Sequence, residues 1–110
     1  MTRRAALYAR VAAPDQAGRA LAQQLEHLCA YARQRGWLVA PERVHRDAGV
    51  SGLRLDRPAL GRLRAVVARG DVDAIVATAP DRLARDRDVL AQLLEEFGRS
   101  GVQVIFVDRE

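Results

Sequence analysis

The spacing of apolar residues changes character several times along the chain. Ala5 to Val11 is apolar apart from Arg10, with Tyr8 and Val11 favouring extended backbone, and predicts a short buried strand. Residues 17–35 switch to helical spacing. Leu21, Leu25, Leu28 and Ala32 share one face, and Gln23, Gln24, Arg33 and Arg35 dilute the rest, with Gly36 as terminator. Trp37 to Arg46 predicts a weaker strand, which Pro41 confines to a sheet edge. Asp47 to Arg57 reads as a loop containing Gly49, Ser51 and Gly52. Asp56 is placed to cap the next helix, and Pro58 suits its first turn; Leu60, Leu63 and Val67 are spaced along it and Gly70 closes it. Asp73 to Thr78 predicts a strand whose unbroken run Ala74 to Ala77 marks cover on both faces, and Pro80 breaks it. A helix from about Arg87 carries Leu90, Leu93, Leu94 and Phe97 on one face, with Gly98 and Gly101 ending it. Val102 to Val107 completes the set as a last strand.

The order β-α-β-α-β-α-β predicts an α/β fold: a three-layer sandwich with a mostly parallel four-stranded sheet and helices on both faces. No internal repeat, low-complexity tract or linker interrupts it. The 110 residues make one domain of a size that buries a real core.

Composition narrows the chemistry more than the fold. A single cysteine, Cys29, rules out an internal disulfide, which suits a reducing, cytoplasmic setting. Cys29 faces the apolar stripe of its helix and reads as core rather than reactive. His27 and His45 are isolated and lack metal-ligand company, so both read as surface or structural residues, and no metal or other cofactor is expected. No segment has the pattern of a signal peptide or the length of a membrane span. The net charge is +4, and every one of the 18 basic residues is arginine. Codon composition accounts for much of that bias, yet the guanidinium fork also recognises phosphate better than lysine does. Aromatic residues are only 5% of the chain, which argues against base-stacking platforms for single strands.

In open α/β sheets, sites lie outside the carboxyl ends of the strands. One such end delivers Arg10, and another delivers "APDRLARD", Ala79 to Asp86. Arg82 and Arg85, three residues apart, would share a face of one helical turn. Together with Arg10 they form a candidate triple-guanidinium pocket for phosphate. Asp81 could orient the arginines or move a proton. Taken alone, Asp81, Arg82, Arg85 and Asp86 equally fit a solvated helix start with local ion pairs; Arg10 at a neighbouring strand end favours the pocket. Ser51, between two loop glycines, reads by itself as turn chemistry.

The ordered set "YARV", a nearby glutamine, "GVSG", "LDRPAL" and "DRLARD" resembles the N-terminal catalytic domain of serine recombinases, the resolvase/invertase group, over Ala6 to Asp108. The resemblance implies a flavodoxin-like domain that cuts and rejoins DNA through a serine, which attacks a phosphodiester and leaves a 5′-phosphoserine link, without metal. It implies active-site roles for Arg10, Arg82 and Arg85, for Asp81 and Gln24, and for Ser51, Gly52 and Arg57 of a second loop. The departure is decisive for the chemistry. The family reads "YxRVS" where this chain reads "YARVA", so the nucleophile position is Ala12. A methyl group has no lone pair, and Ala13 offers no substitute. "APDR" also replaces the more usual leucine before the aspartate. The chain ends at Glu110, where family members continue into a dimerisation helix and a DNA-binding domain, so weak DNA binding and a monomer or weak homodimer are expected. Three readings stay open: a recombinase catalytic domain silenced at its nucleophile, natural or engineered, that associates with active recombinase subunits; a non-enzymatic phosphate- or nucleotide-binding module; and a folded relic. No G-x-G-x-x-G fingerprint supports the second.

Overall fold

The computed structural model describes residues 3–11, 17–48 and 57–109. Four parallel strands form one sheet in the order β2-β1-β3-β4, with β1 spanning Ala5–Val11, β2 Val44–Ala48, β3 Ala74–Ala77 and β4 Gln103–Phe106. β1 pairs with β2 from Leu7↔Val44 to Val11↔Ala48 and with β3 from Ala5↔Ala74 to Leu7↔Val76. All seven residues of β1 are buried, as a central parallel strand requires.

Alternate residues of β1 feed different layers. Ala6 and Tyr8 join Ile75 in the core under α2 (Pro58–Ala68) and α4 (Arg87–Arg99), with Leu60, Leu63, Leu93 and Phe97. Ala5 and Leu7 face the other way, with Leu28 of α1 (Ala17–Gln34), and Ala9 and Val11 pack with Leu21. Helices therefore cover both faces: α1 on one, α2 and α4 on the other. A single turn, α3 (Pro80–Leu83), sits at the carboxyl end of β3. Gly36 and Gly70 take positive φ, 70° and 76°, immediately after α1 and α2, a region glycine enters at low cost.

The strand predicted over Trp37 to Arg46 starts later. Leu38 makes only an isolated bridge to Arg4, Pro41–Arg43 forms a 3-10 turn, and β2 begins at Val44. Pro41, locked in φ and lacking an N–H, cannot continue a ladder; it opens the turn that Arg43 closes on the Ala40 carbonyl at 2.9 Å. The edge position is as predicted. Asp47, read as the start of a loop, instead lies inside β2. Asp73 and Thr78 fall outside β3; Asp73 turns its carboxylate to the backbone and guanidinium of Arg4. Gly98 does not end α4, which continues to Arg99 and turns at Gly101 with φ 75°. Asp56, the expected cap of α2, lies outside the described residues. The α2 N-terminus is capped from elsewhere: Asp47 accepts from the amides of Ala59 at 2.9 Å and Leu60 at 3.1 Å.

Candidate phosphodiester site

The described part of the site is built where β1 outlasts β3. Past Leu7, β1 has no further β3 residue beside it, and the N–H and C=O of Arg10 face the gap. Gln24 of α1 fills it with its carboxamide. Its Nε2 donates to the Arg10 carbonyl at 3.2 Å, and its Oε1 accepts from the Arg10 amide at 3.4 Å. The Arg10 carbonyl also accepts from Arg82 Nη1 at 3.3 Å. Gln24 and Arg82, distant in sequence, are thereby fastened to one peptide group.

The Arg10 side chain shares the β1 face of Tyr8 and is only 2% exposed. Its Nη2 donates to the Asp81 carbonyl at 2.6 Å and its Nε to the Arg82 carbonyl at 3.2 Å. Arg57, 1% exposed, donates through Nη2 to the Leu83 carbonyl and through Nη1 to the Tyr8 hydroxyl at 3.0 Å. The Tyr8 hydroxyl donates in turn to Asp47 Oδ2 at 2.7 Å. A four-residue helix leaves its last carbonyls without intrahelical partners. Two buried guanidiniums take those of α3, so the turn that carries Arg82 is held from below by Arg10 and Arg57.

Charge is concentrated here. Burial first and Arg57 second, with smaller contributions from Arg82 and Arg85, hold the Arg10 guanidinium below its ordinary pKa, against an opposing effect of Tyr8. The arginine remains charged, as guanidinium does in proteins. Burial first, and the hydrogen bond to Asp47 second, push the Tyr8 hydroxyl far up, so it remains a neutral donor.

The structure thus brings together Arg10, Gln24, Arg57 and Arg82 of the sequence-derived set. Asp81 joins through its backbone carbonyl, with an exposed side chain, while Arg85 is exposed at the rim yet close enough to act on Arg10. Ala12, Ser51 and Gly52 lie outside the described residues. Sequence reasoning missed Tyr8 and Asp47. The available signal was period two: Tyr8 and Arg10 must share a face of one strand. Arg10 also pairs in register with Asp47 across β1 and β2. Asp86 caps α4, accepting from the amides of Asp88 at 2.8 Å and Val89 at 3.1 Å, so part of the solvated-helix-start reading holds beside the pocket reading. Among the described residues no group of three or more His, Cys, Asp or Glu is placed to hold a metal ion, and no helix is long and apolar enough to cross a membrane.

Known proteins share this fold. The fold is similar to the C-terminal catalytic domain of ISC1926 TnpA, an IS607-like serine recombinase, with a TM-score of 0.86 and 35% identity over 94% of this chain and 69% of that one. It is equally similar to the N-terminal catalytic domain of TP901-1 integrase, with a TM-score of 0.87 and 32% identity over 97% of this chain and 79% of that one. In sequence, the transposon Tn3 resolvase of Escherichia coli is 41% identical over 76 residues, covering 60% of this chain and 40% of the resolvase. The chain spans less than half the length of the curated relatives it matches. The family model described as resolvase, N-terminal domain, matches residues 5–110, and the chain belongs to that family.

Proposed function

We propose that this chain is a serine-recombinase catalytic domain that holds a DNA phosphodiester but does not cut it, because the nucleophile position is Ala12. In the reaction of the family, a serine oxygen bonds to phosphorus, the 3′ oxygen leaves with its electron pair and takes a proton, and a 5′-phosphoserine link remains. Arginines offset the charge that builds on the phosphoryl oxygens. The observation that carries the reading is the anchoring of α3 by Arg10 and Arg57, which fixes Arg82 at the carboxyl end of the sheet with Arg85 at its rim. Arg82 and Arg85 would contact phosphate, with the buried Arg10 acting on it from behind them. Gln24 and Arg57 would position them, and Asp81 would orient the turn or move a proton. Ser51 is the alternative hydroxyl on the second loop. The silenced domain would act as an inactive partner of recombinase subunits, with DNA as its ligand and no metal involved.

The test restores the oxygen. Ala12→Ser and the unaltered chain are each fused to a dimerisation helix and a DNA reader, mixed with a nicked suicide substrate, and run on a denaturing gel. Covalent adduct from Ala12→Ser alone supports the proposal. Adduct from the unaltered chain refutes it and turns attention to Ser51. With no adduct from either, phosphate titration against Arg82→Ala separates a wider loss of the site from a phosphate-binding module that never cut DNA.

A further inference from the structure

A second basic cleft lies away from the arginine cluster, on the outer flank of the sheet between the 3-10 turn, β2 and the second half of α2. Its volume is about 280 Å³, and Arg43, Arg62 and Arg69 line it together with Glu42 and His45. Asp71 holds two of these arginines, Arg69 at 3.0 Å and Arg43 at 3.5 Å, while Arg62 has no ion pair with a described residue. His45 is 5% exposed, and its Nε2 is buried with no hydrogen-bond partner among the described residues. An unpaired buried ring nitrogen is costly, so it marks a place where a ligand atom would be favoured. We propose that this cleft binds a tetrahedral oxyanion, a phosphate group, between Arg43, Arg62 and Arg69 and against His45 Nε2. The assignment is independent of the proposed phosphodiester site, whose residues it does not share.

Protonation couples to this binding. His45 is held below its ordinary pKa by burial first, then by Arg62 and Arg43, with Asp47 opposing. An oxyanion would offset both arginines and give a protonated Nε2 an acceptor. It therefore raises the His45 pKa, and binding tightens as pH falls through the histidine range. Glu42 in the cleft and Asp71 beside it oppose the anion and keep its affinity weak. A phosphate of this kind is supplied either free or by a nucleic-acid backbone.

The experiment reads the imidazole proton shifts of His45 by NMR in a His27→Gln background, since the chain has two histidines. Sulfate serves as the first probe because its charge stays fixed across the titration. Sodium sulfate should raise the His45 midpoint by about one unit over sodium chloride at equal ionic strength, equivalent to about tenfold tighter binding to the protonated protein. Arg62→Gln, on an exposed helix flank, should fold normally and lose most of the shift. Inorganic phosphate and a short DNA duplex at equal phosphorus then identify the source: a shift with phosphate indicates the free anion, and a shift with the duplex alone indicates the backbone. The proposal is overturned if no anion moves the midpoint, or if Arg62→Gln responds as strongly as the parent.

Discussion

Tyr8→Phe removes one buried oxygen and leaves the ring in place, so it isolates the hydrogen-bond relay from the packing. Tyr8 is fully buried, and its hydroxyl lies between two buried charges, accepting from Arg57 at 3.0 Å and donating to Asp47 at 2.7 Å. A hydrogen bond to a charged group contributes about 1.5–3 kcal/mol. Both partners keep others: Asp47 keeps the amides of Ala59 and Leu60, and Arg57 keeps the Leu83 carbonyl. The combined loss therefore falls near the low end for two such bonds, about 2–4 kcal/mol. At about 4 °C per kcal/mol for a domain of this size, Tm should fall by roughly 8–16 °C. Urea unfolding followed by circular dichroism should show a lower midpoint with an unchanged slope. Amide exchange should quicken at Arg82 and Ala84, whose N–H groups close the α3 turn on Ala79 and Pro80, more than at Val76 in mid-strand. The relay also predicts an alkaline limit. Because the folded-state pKa of Tyr8 is raised, its contribution is complete below the unfolded value of about 10 and is lost as pH rises beyond it; Tyr8→Phe should abolish that part of the decline. A loss under about 1 kcal/mol at neutral pH would refute the claim that this hydroxyl couples the two charges.

Two further outcomes test separate parts of the fold. Arg64 of α2 holds Glu96 of α4 through two hydrogen bonds at 2.8 and 2.6 Å, and the hydrogen bond to Arg64 depresses the Glu96 carboxyl below its ordinary value. Glu96→Gln should cost under about 1 kcal/mol because the pair is partly exposed. That difference should be full above the unfolded glutamate pKa of about 4.3 and disappear as pH falls through the lower folded value, as acid-unfolding curves of the two proteins would show. Gly101, at φ 75°, turns the chain from α4 into β4, and Gly101→Ala should cost about 1 kcal/mol in chemical denaturation.

The elements that one face of one period could specify were legible in the sequence. β1 announced itself as a run that is apolar apart from Arg10, and α1 as a stripe of Leu21, Leu28 and Ala32 that does pack on the sheet. The elements decided by long-range partners were not legible. Trp37 and Val39 look like strand residues, but they belong to the core beneath α1, and the edge ladder waits until Pro41 has been passed. Asp47 looked like the start of a loop, because a carboxylate beside Ala48 and Gly49 has no local reason to sit in a strand. Its reason is tertiary: the uncapped amides of α2 and the hydroxyl of Tyr8 both end on it. The meeting of Arg10 with the "DRLAR" segment followed from topology alone, since both stand at carboxyl ends of strands. Arg57 entered only through family resemblance, and nothing local to its sequence indicates that it is buried.

The four arginines around α3 divide by burial, and the division carries a physical consequence. Arg10 and Arg57 are buried, and both donate to backbone carbonyls of α3. Arg82 is half-buried with one N–H on the Arg10 carbonyl, and Arg85 is exposed. On the proposed reading, an anion at the rim would meet Arg82 and Arg85 first, with the Arg10 and Arg57 guanidiniums held in place behind them. Groups held in place in this way need no reorganisation when charge develops on a phosphoryl group, which is the condition under which electrostatic stabilisation is strongest. The hydrogen bonds given above between Arg10, Arg57, Arg82 and α3 run between other residues of the chain than residue 12. On the proposed reading, loss of cutting and retention of phosphate affinity would therefore be separable: titration with phosphate should give the same affinity for the unaltered chain and for Ala12→Ser, and a clear difference between them would refute the separation.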